Sequence, residues 1–112
     1  MSEISPEDTK IITLARSSRA RTGAAEGAAV RDETGRTYAA TSVDLPSLKL
    51  SALQVAVAMA VSSGAEDLEA AALVTAGERA RDADVAAVRE LGASAPILLA
   101  GPDGSLRATL AP

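Results

Sequence analysis

Between residues 52 and 61 every position except Gln54 is apolar: Ala52, Leu53, Val55, Ala56, Val57, Ala58, Met59, Ala60 and Val61. That run predicts a helix over about 48–63, opened by Leu45-Pro46-Ser47 and stopped by Gly64. A helix apolar nearly all round belongs in the centre of a fold. Its small side chains allow close packing against a sheet, another helix or a partner subunit. An earlier helix starts at Ser5, which can cap, and at Pro6, which suits the first helical position. Ile11, Leu14 and Ala15 fall on one face of it, and it runs to about Arg21 before Gly23 ends it. A third covers 82–91, with Asp82 as its cap, Val85, Val88 and Leu91 as its apolar positions, and Gly92 at its end.

The strands show the other periodicity. Residues 27–31 predict a strand, 32–35 a hairpin turn with Gly35 supplying the positive φ, and 36–43 the return strand. Residues 68–75 and 96–100 are apolar enough to be buried strands. The turn Gly101-Pro-Asp-Gly104 leads to a half-exposed strand in which Leu106, Ala108 and Leu110 alternate with Arg107 and Thr109. The order is α-β-β-α-β-α-β-β. It predicts an α/β fold in one domain over 1–112: a three-layer α/β/α sandwich around a mixed sheet of about five strands.

Composition narrows the function classes. His and Cys are absent, which removes imidazole and thiolate chemistry together with disulfides. Tyr38 is the single aromatic residue, so the core is built of aliphatic side chains and many alanines. Such a core buries little area per residue, which points to modest monomer stability and to oligomerisation. A net charge of −4 and a pI near 4.7 argue against nucleic-acid binding. The longest apolar run, 55–61, is far short of the ~18 residues of a membrane span. The N-terminal stretch is acidic and lacks the basic and apolar regions of a signal peptide, so a cytoplasmic location is expected. Arginine outnumbers lysine nine to two and alanine is abundant, as in proteins of GC-rich bacterial genomes.

Particular residues resemble the cytidine deaminase family, in order and over roughly residues 10–110. Gly27-Ala-Ala-Val30 is similar to that family's Gly-Ala-Ala-(Leu/Val) strand, and Gly35-Arg-Thr-Tyr38 to its Gly-(Lys/Arg)-x-Tyr hairpin. Ser42-Val-Asp44 stands where the family has Asn-(Ile/Val)-Glu, which contacts the nucleoside sugar. The segment from Ser51 to Gly64 runs without a gap beside the family's Cys-Ala-Glu helix, and 85–91 resembles the helix after its Pro-Cys-x-x-Cys motif. The resemblance implies a cytidine deaminase-like fold and a dimeric or tetrameric assembly.

The same alignment of motifs places Ser51 at the first zinc-ligand position, Leu53 at the proton-shuttling glutamate, and Arg81 and Asp84 at the two remaining ligand positions. The family's zinc activates a water and its glutamate moves protons between that water, the ring and the leaving amine. A hydroxyl, a cation and one carboxylate do not replace thiolate and imidazole, and Leu53 carries no proton. The family's ring-stacking Phe falls near Ala24. No metal, no cofactor and no catalytic residue are therefore expected.

Ser42, Asp44 and Arg81 are the candidate ligand-binding residues: the first two for a sugar, Arg81 for an anion. Each also has a plain structural role. Ser42 and Asp44 fit a strand end and the start of the second helix, and Arg81 with Asp84 fits a surface ion pair beside a helix cap. Glu66, Asp67 and Glu69 read as a solvated edge, and Ser17, Ser18, Ser62 and Ser63 lack a base to activate them. The favoured function is an inactive deaminase-like scaffold that oligomerises or binds a protein partner. The alternative is a nucleoside or nucleotide sensor that keeps the pocket without the chemistry, and a metal-free enzyme using Asp44 or Asp84 ranks third. The space between Ser42, Ser51, Leu53, Arg81 and Asp84 separates them: filled by Leu53, it leaves a scaffold; open and lined by Asp44 and Arg81, it favours a ligand.

Overall fold

A computed structural model describes residues 4–112; residues 1–3 of the acidic N-terminal stretch lie outside it. The first helix, α1 (Pro6–Thr22), begins as its sequence dictates. Ser5 Oγ accepts from the Asp8 N–H at 3.1 Å, and Gly23 closes the other end in the left-handed region at φ 69°. Five strands follow in one sheet: β1 (Glu26–Asp32), β2 (Thr37–Thr41), β5 (Leu68–Thr75), β6 (Ile97–Ala100) and β7 (Leu106–Leu110). Their spatial order is β2-β1-β5-β6-β7, with only β5 and β6 parallel. That parallel pair needs a crossover, and α3 (Asp82–Leu91) supplies it. α1 covers one face of the sheet, where Ile11, Ile12 and Ala15 meet Ala29, Ala72 and Val74. α2 (Ala52–Ser62) and α3 cover the other, where Leu53, Ala56 and Val88 meet Ala28, Val30 and Leu73. The result is the three-layer mixed α/β sandwich that the alternation predicts. No helix among the described residues is long and apolar enough to cross a membrane.

Small residues set how near the layers come. A Cβ added to Gly27 would stand 2.0 Å from the Ala15 carbonyl oxygen, so α1 lies with its backbone directly on β1. The turn after β1 is tied by Asp32, only 2% exposed. Its carboxylate accepts from the Thr34 hydroxyl (2.7 Å), the Thr34 and Arg36 N–H groups (2.9 and 3.0 Å) and Tyr38 Oη (2.8 Å). Burial pushes the Asp32 carboxyl up, but these hydrogen bonds outweigh it and hold the group below its ordinary value.

Four local expectations fail around the second helix. The return strand divides at Ser42, and β3 (Val43–Leu45) pairs antiparallel with β4 (Leu48–Leu50) in a separate hairpin. α2 accordingly starts at Ala52, not near Leu48. Its start is a capping box: Ser51 Oγ accepts from the Gln54 N–H, and Gln54 Oε1 accepts from the Ser51 N–H. That reciprocal pair outcompetes Pro46-Ser47 as a helix start, and Leu48–Leu50 is left to pair with Val43–Leu45. Asp44 lies in β3 and caps nothing on α2. Nor is α2 buried all round: Ala52, Leu53, Ala56 and Ala60 face inward, while Met59 and Val61 are 40% and 54% exposed. At α3 the cap position is Arg81, whose side chain makes no capping bond, and Asp82 is the first helical residue.

Candidate functional site

The first turns of α2 and α3, the start of β1 and the β3–β4 hairpin enclose an open cleft of about 410 Å³. Ser51 is brought to its floor beside Arg81 and Asp84, a pair from the distant start of α3. Ser51 Oγ donates to Asp84 Oδ1 at 2.6 Å. Arg81 Nη1 donates to Asp84 Oδ2 at 3.3 Å and to Glu26 Oε1 at 3.2 Å. Asp84 is 1% exposed, so its contact with Arg81 is not the surface ion pair that the sequence allowed. Its place in the first turn of α3 suits a carboxylate, because the helix N-terminus is positive.

Arg81 is the open member of the group. Its side chain is 63% exposed, against 9% for Glu26 and 2% for Asp84. The charge and hydrogen bond of Glu26, and less strongly those of Asp84, raise its pKa above the ordinary arginine value, so it is always a cation. The guanidinium thus balances two carboxylates that the fold has taken out of water.

Ser42 and Asp44 also line the cleft, at its rim. The Ser42 N–H donates to the Glu26 carbonyl at 3.3 Å and fixes the chain at the end of β2. Asp44 accepts from Lys49 Nζ at 2.6 Å across the hairpin, with both side chains largely in solvent. An exposed pair of this kind contributes little, about 0–1 kcal/mol. Leu53 does not line the cleft: it is 0% exposed, packed between α2 and the sheet. The space is therefore open and not filled by Leu53.

Two residues of the site escaped the sequence reading. Glu26 shares its side of β1 with Ala28 and Val30, so the period of two already aimed it at the α2 layer. Gln54 carried the signature of a capping box, three residues after Ser51. The acidic cluster is elsewhere. Glu66 and Asp67 donate their N–H groups to the Glu33 carboxylate, and Glu69 pairs with Arg31.

The family model described as cytidine deaminase-like matches residues 4–104. The chain belongs to the cytidine deaminase-like family. Among solved structures it is similar to the cytidine deaminase of Burkholderia pseudomallei, at 20% identity and a TM-score of 0.79, with 91% of this chain and 90% of that one covered. The Mycobacterium tuberculosis cytidine deaminase matches at 23% identity and a TM-score of 0.71 over 83% and 85% of the two chains. That of Mycobacterium leprae matches at 18% and 0.71 over 96% and 95%. At these identities the likeness concerns the fold. Comparison with curated proteins finds no match. In this cytidine deaminase-like chain the three positions expected to correspond to zinc ligands meet as hydroxyl, guanidinium and carboxylate.

Proposed function

We propose that this protein is a deaminase-like chain without deaminase chemistry, whose open cleft binds a small polar molecule. The observation that carries the proposal is the chain of contacts Ser51–Asp84–Arg81–Glu26 on the floor of an accessible cleft. This donor set does not fit zinc. Zinc sites are built from thiolate, imidazole and carboxylate, and here one position is a neutral hydroxyl and another a permanent cation. Among the described residues no group of three His, Cys, Asp or Glu side chains is placed to hold a metal. Leu53 cannot shuttle a proton. The open cleft favours the sensor over the filled-pocket scaffold, with Ser42 and Asp44 at its rim and the charged group of Glu26, Arg81 and Asp84 on its floor.

Thermal unfolding in the presence of pyrimidine nucleosides and other small polar molecules at millimolar concentration tests the reading. A ligand of the folded state raises the midpoint in proportion to the logarithm of its saturation. A saturable rise with no conversion of cytidine to uridine is expected. No rise with any of them, or conversion of cytidine, contradicts it.

A second reading, an oligomerising scaffold, is favoured by one feature. Leu45, Leu48, Met59 and Val61 are each at least 40% exposed, and large apolar side chains left in water mark contact surfaces. Dimers or tetramers formed through α2 and the β3–β4 hairpin would cover them. Light scattering at micromolar concentration reads this directly, and a strict monomer contradicts it.

A further inference from the structure

The floor of the cleft holds more negative charge than its own cation covers. Three carboxylates line the cleft, Glu26, Asp44 and Asp84, against two cations, Lys49 and Arg81. At the rim Asp44 and Lys49 neutralise each other. On the floor two carboxylates, at 9% and 2% exposure, share one guanidinium that stands mostly in water. The hold on that guanidinium is slight. Both contacts run from the single nitrogen Nη1, at 3.2 and 3.3 Å, and neither is the two-nitrogen fork by which arginine grips a carboxylate best. Among the described residues Nε and Nη2 donate to no protein acceptor, and Glu26 Oε2 receives no donor.

The geometry points to a recognition site for a guanidinium or amidinium group on the cleft floor, closed in cis by Arg81. Arg81 is the tethered occupant, and the acidic pair Glu26 and Asp84 is the receptor. This rests on the proposal that the cleft binds a small molecule, and it names the chemical class. A free planar cation can place two nitrogens on the carboxylates where Arg81 places one. The open mouth admits it, and Arg81 can swing into solvent because most of its side chain is already there. Competition from the tethered side chain weakens binding to the wild-type chain, since a tethered group acts at millimolar effective concentration.

Methylguanidinium chloride and the Arg81→Ala variant test the idea, with methylurea as the neutral isostere and sodium chloride as the ionic control. Arg81→Ala is expected to melt below wild type. Low-millimolar methylguanidinium is expected to raise its midpoint saturably, where methylurea and matched salt do not, with binding about tenfold or more tighter than to wild type. The double variant Glu26→Gln, Arg81→Ala is expected to lose the response. If Arg81→Ala does not fold, Arg81→Gln replaces it, since it keeps the stem and removes the charge. A response to methylguanidinium no larger than that to salt or methylurea overturns the inference. If nucleosides still raise the midpoint in that case, only the guanidinium class falls; if nothing does, the ligand-binding reading falls with it.

Discussion

The Ser51 hydroxyl joins two helix N-termini: it accepts from the Gln54 N–H in the first turn of α2 and donates to Asp84 in the first turn of α3, at 2.6 Å. One side chain therefore caps a helix and satisfies a buried carboxylate. At the expected first metal-ligand position, the serine has both a donor and an acceptor role within the protein.

Ser51→Ala removes both interactions. Loss of an N-cap costs about 1 kcal/mol, and loss of a hydrogen bond to a charged group about 1.5–3 kcal/mol. Denaturant unfolding is expected to show a loss of about 2–4 kcal/mol. Asp84→Asn, which keeps the shape and removes the charge, is expected to lose less at the Ser51 contact and more at Arg81. A Ser51→Ala variant as stable as wild type contradicts the role assigned to this bond.

Gly27→Ala tests the layer spacing. The new methyl would meet the Ala15 carbonyl oxygen and the Arg19 Cβ at 2.0 and 2.9 Å, so α1 must lift from β1. Overpacking against backbone costs about 1–3 kcal/mol or more. Gly35→Ala meets no atom within 4 Å but forces a side chain onto φ 88°, so its cost is backbone strain at about 1 kcal/mol. A larger loss at Gly35 than at Gly27 would reverse this ordering.

Asp32 gives a pH dependence with a definite sign. Its folded pKa lies below the unfolded value near 3.8, so the unfolded chain binds the proton more readily. Its stabilisation is complete above the unfolded pKa and is lost as pH falls through the lower folded one. Thermal midpoints from about pH 6 to about pH 2 are expected to fall more steeply for wild type than for Asp32→Asn, the difference arising below about pH 4. Equal slopes contradict the arrangement around Thr34, Arg36 and Tyr38.

Much of this fold is legible in the sequence, because its long elements repeat one signal. Ser5-Pro6 and Gly23 bound α1 where expected, and the alternation from Leu106 to Leu110 marks β7. The region from Ser42 to Ser51 is harder. Pro46-Ser47 resembles a helix start, while Leu48-Lys49-Leu50 is too short for its period to decide between helix and strand. Of the site, Ser42, Asp44, Ser51, Arg81 and Asp84 are legible in the chain, and all five line the cleft. Leu53 falls among them in sequence, yet it packs into the core. Burial was the missing quantity. Arg81 and Asp84 look like a surface pair until Glu26, 55 residues away, comes beneath them.

Reconstruction offers a positive test of the convergence. With Ser51→Cys, Arg81→Cys and Asp84→Cys combined, three thiols stand where three side chains already touch. Thiolates bind zinc at about 2.3 Å, so one zinc per chain is expected from a folded triple variant. A folded triple variant that takes up no zinc would show that the three positions do not converge.

The most direct measurement is the zinc content of the unaltered protein, purified after growth with added zinc, alongside the ultraviolet absorbance of cytidine incubated with it. Far less than one zinc per chain and unchanged cytidine are the predicted results, because the three positions carry a neutral hydroxyl, a permanent cation and a single carboxylate. One tightly held zinc per chain, with cytidine converted to uridine, would contradict the account at its centre.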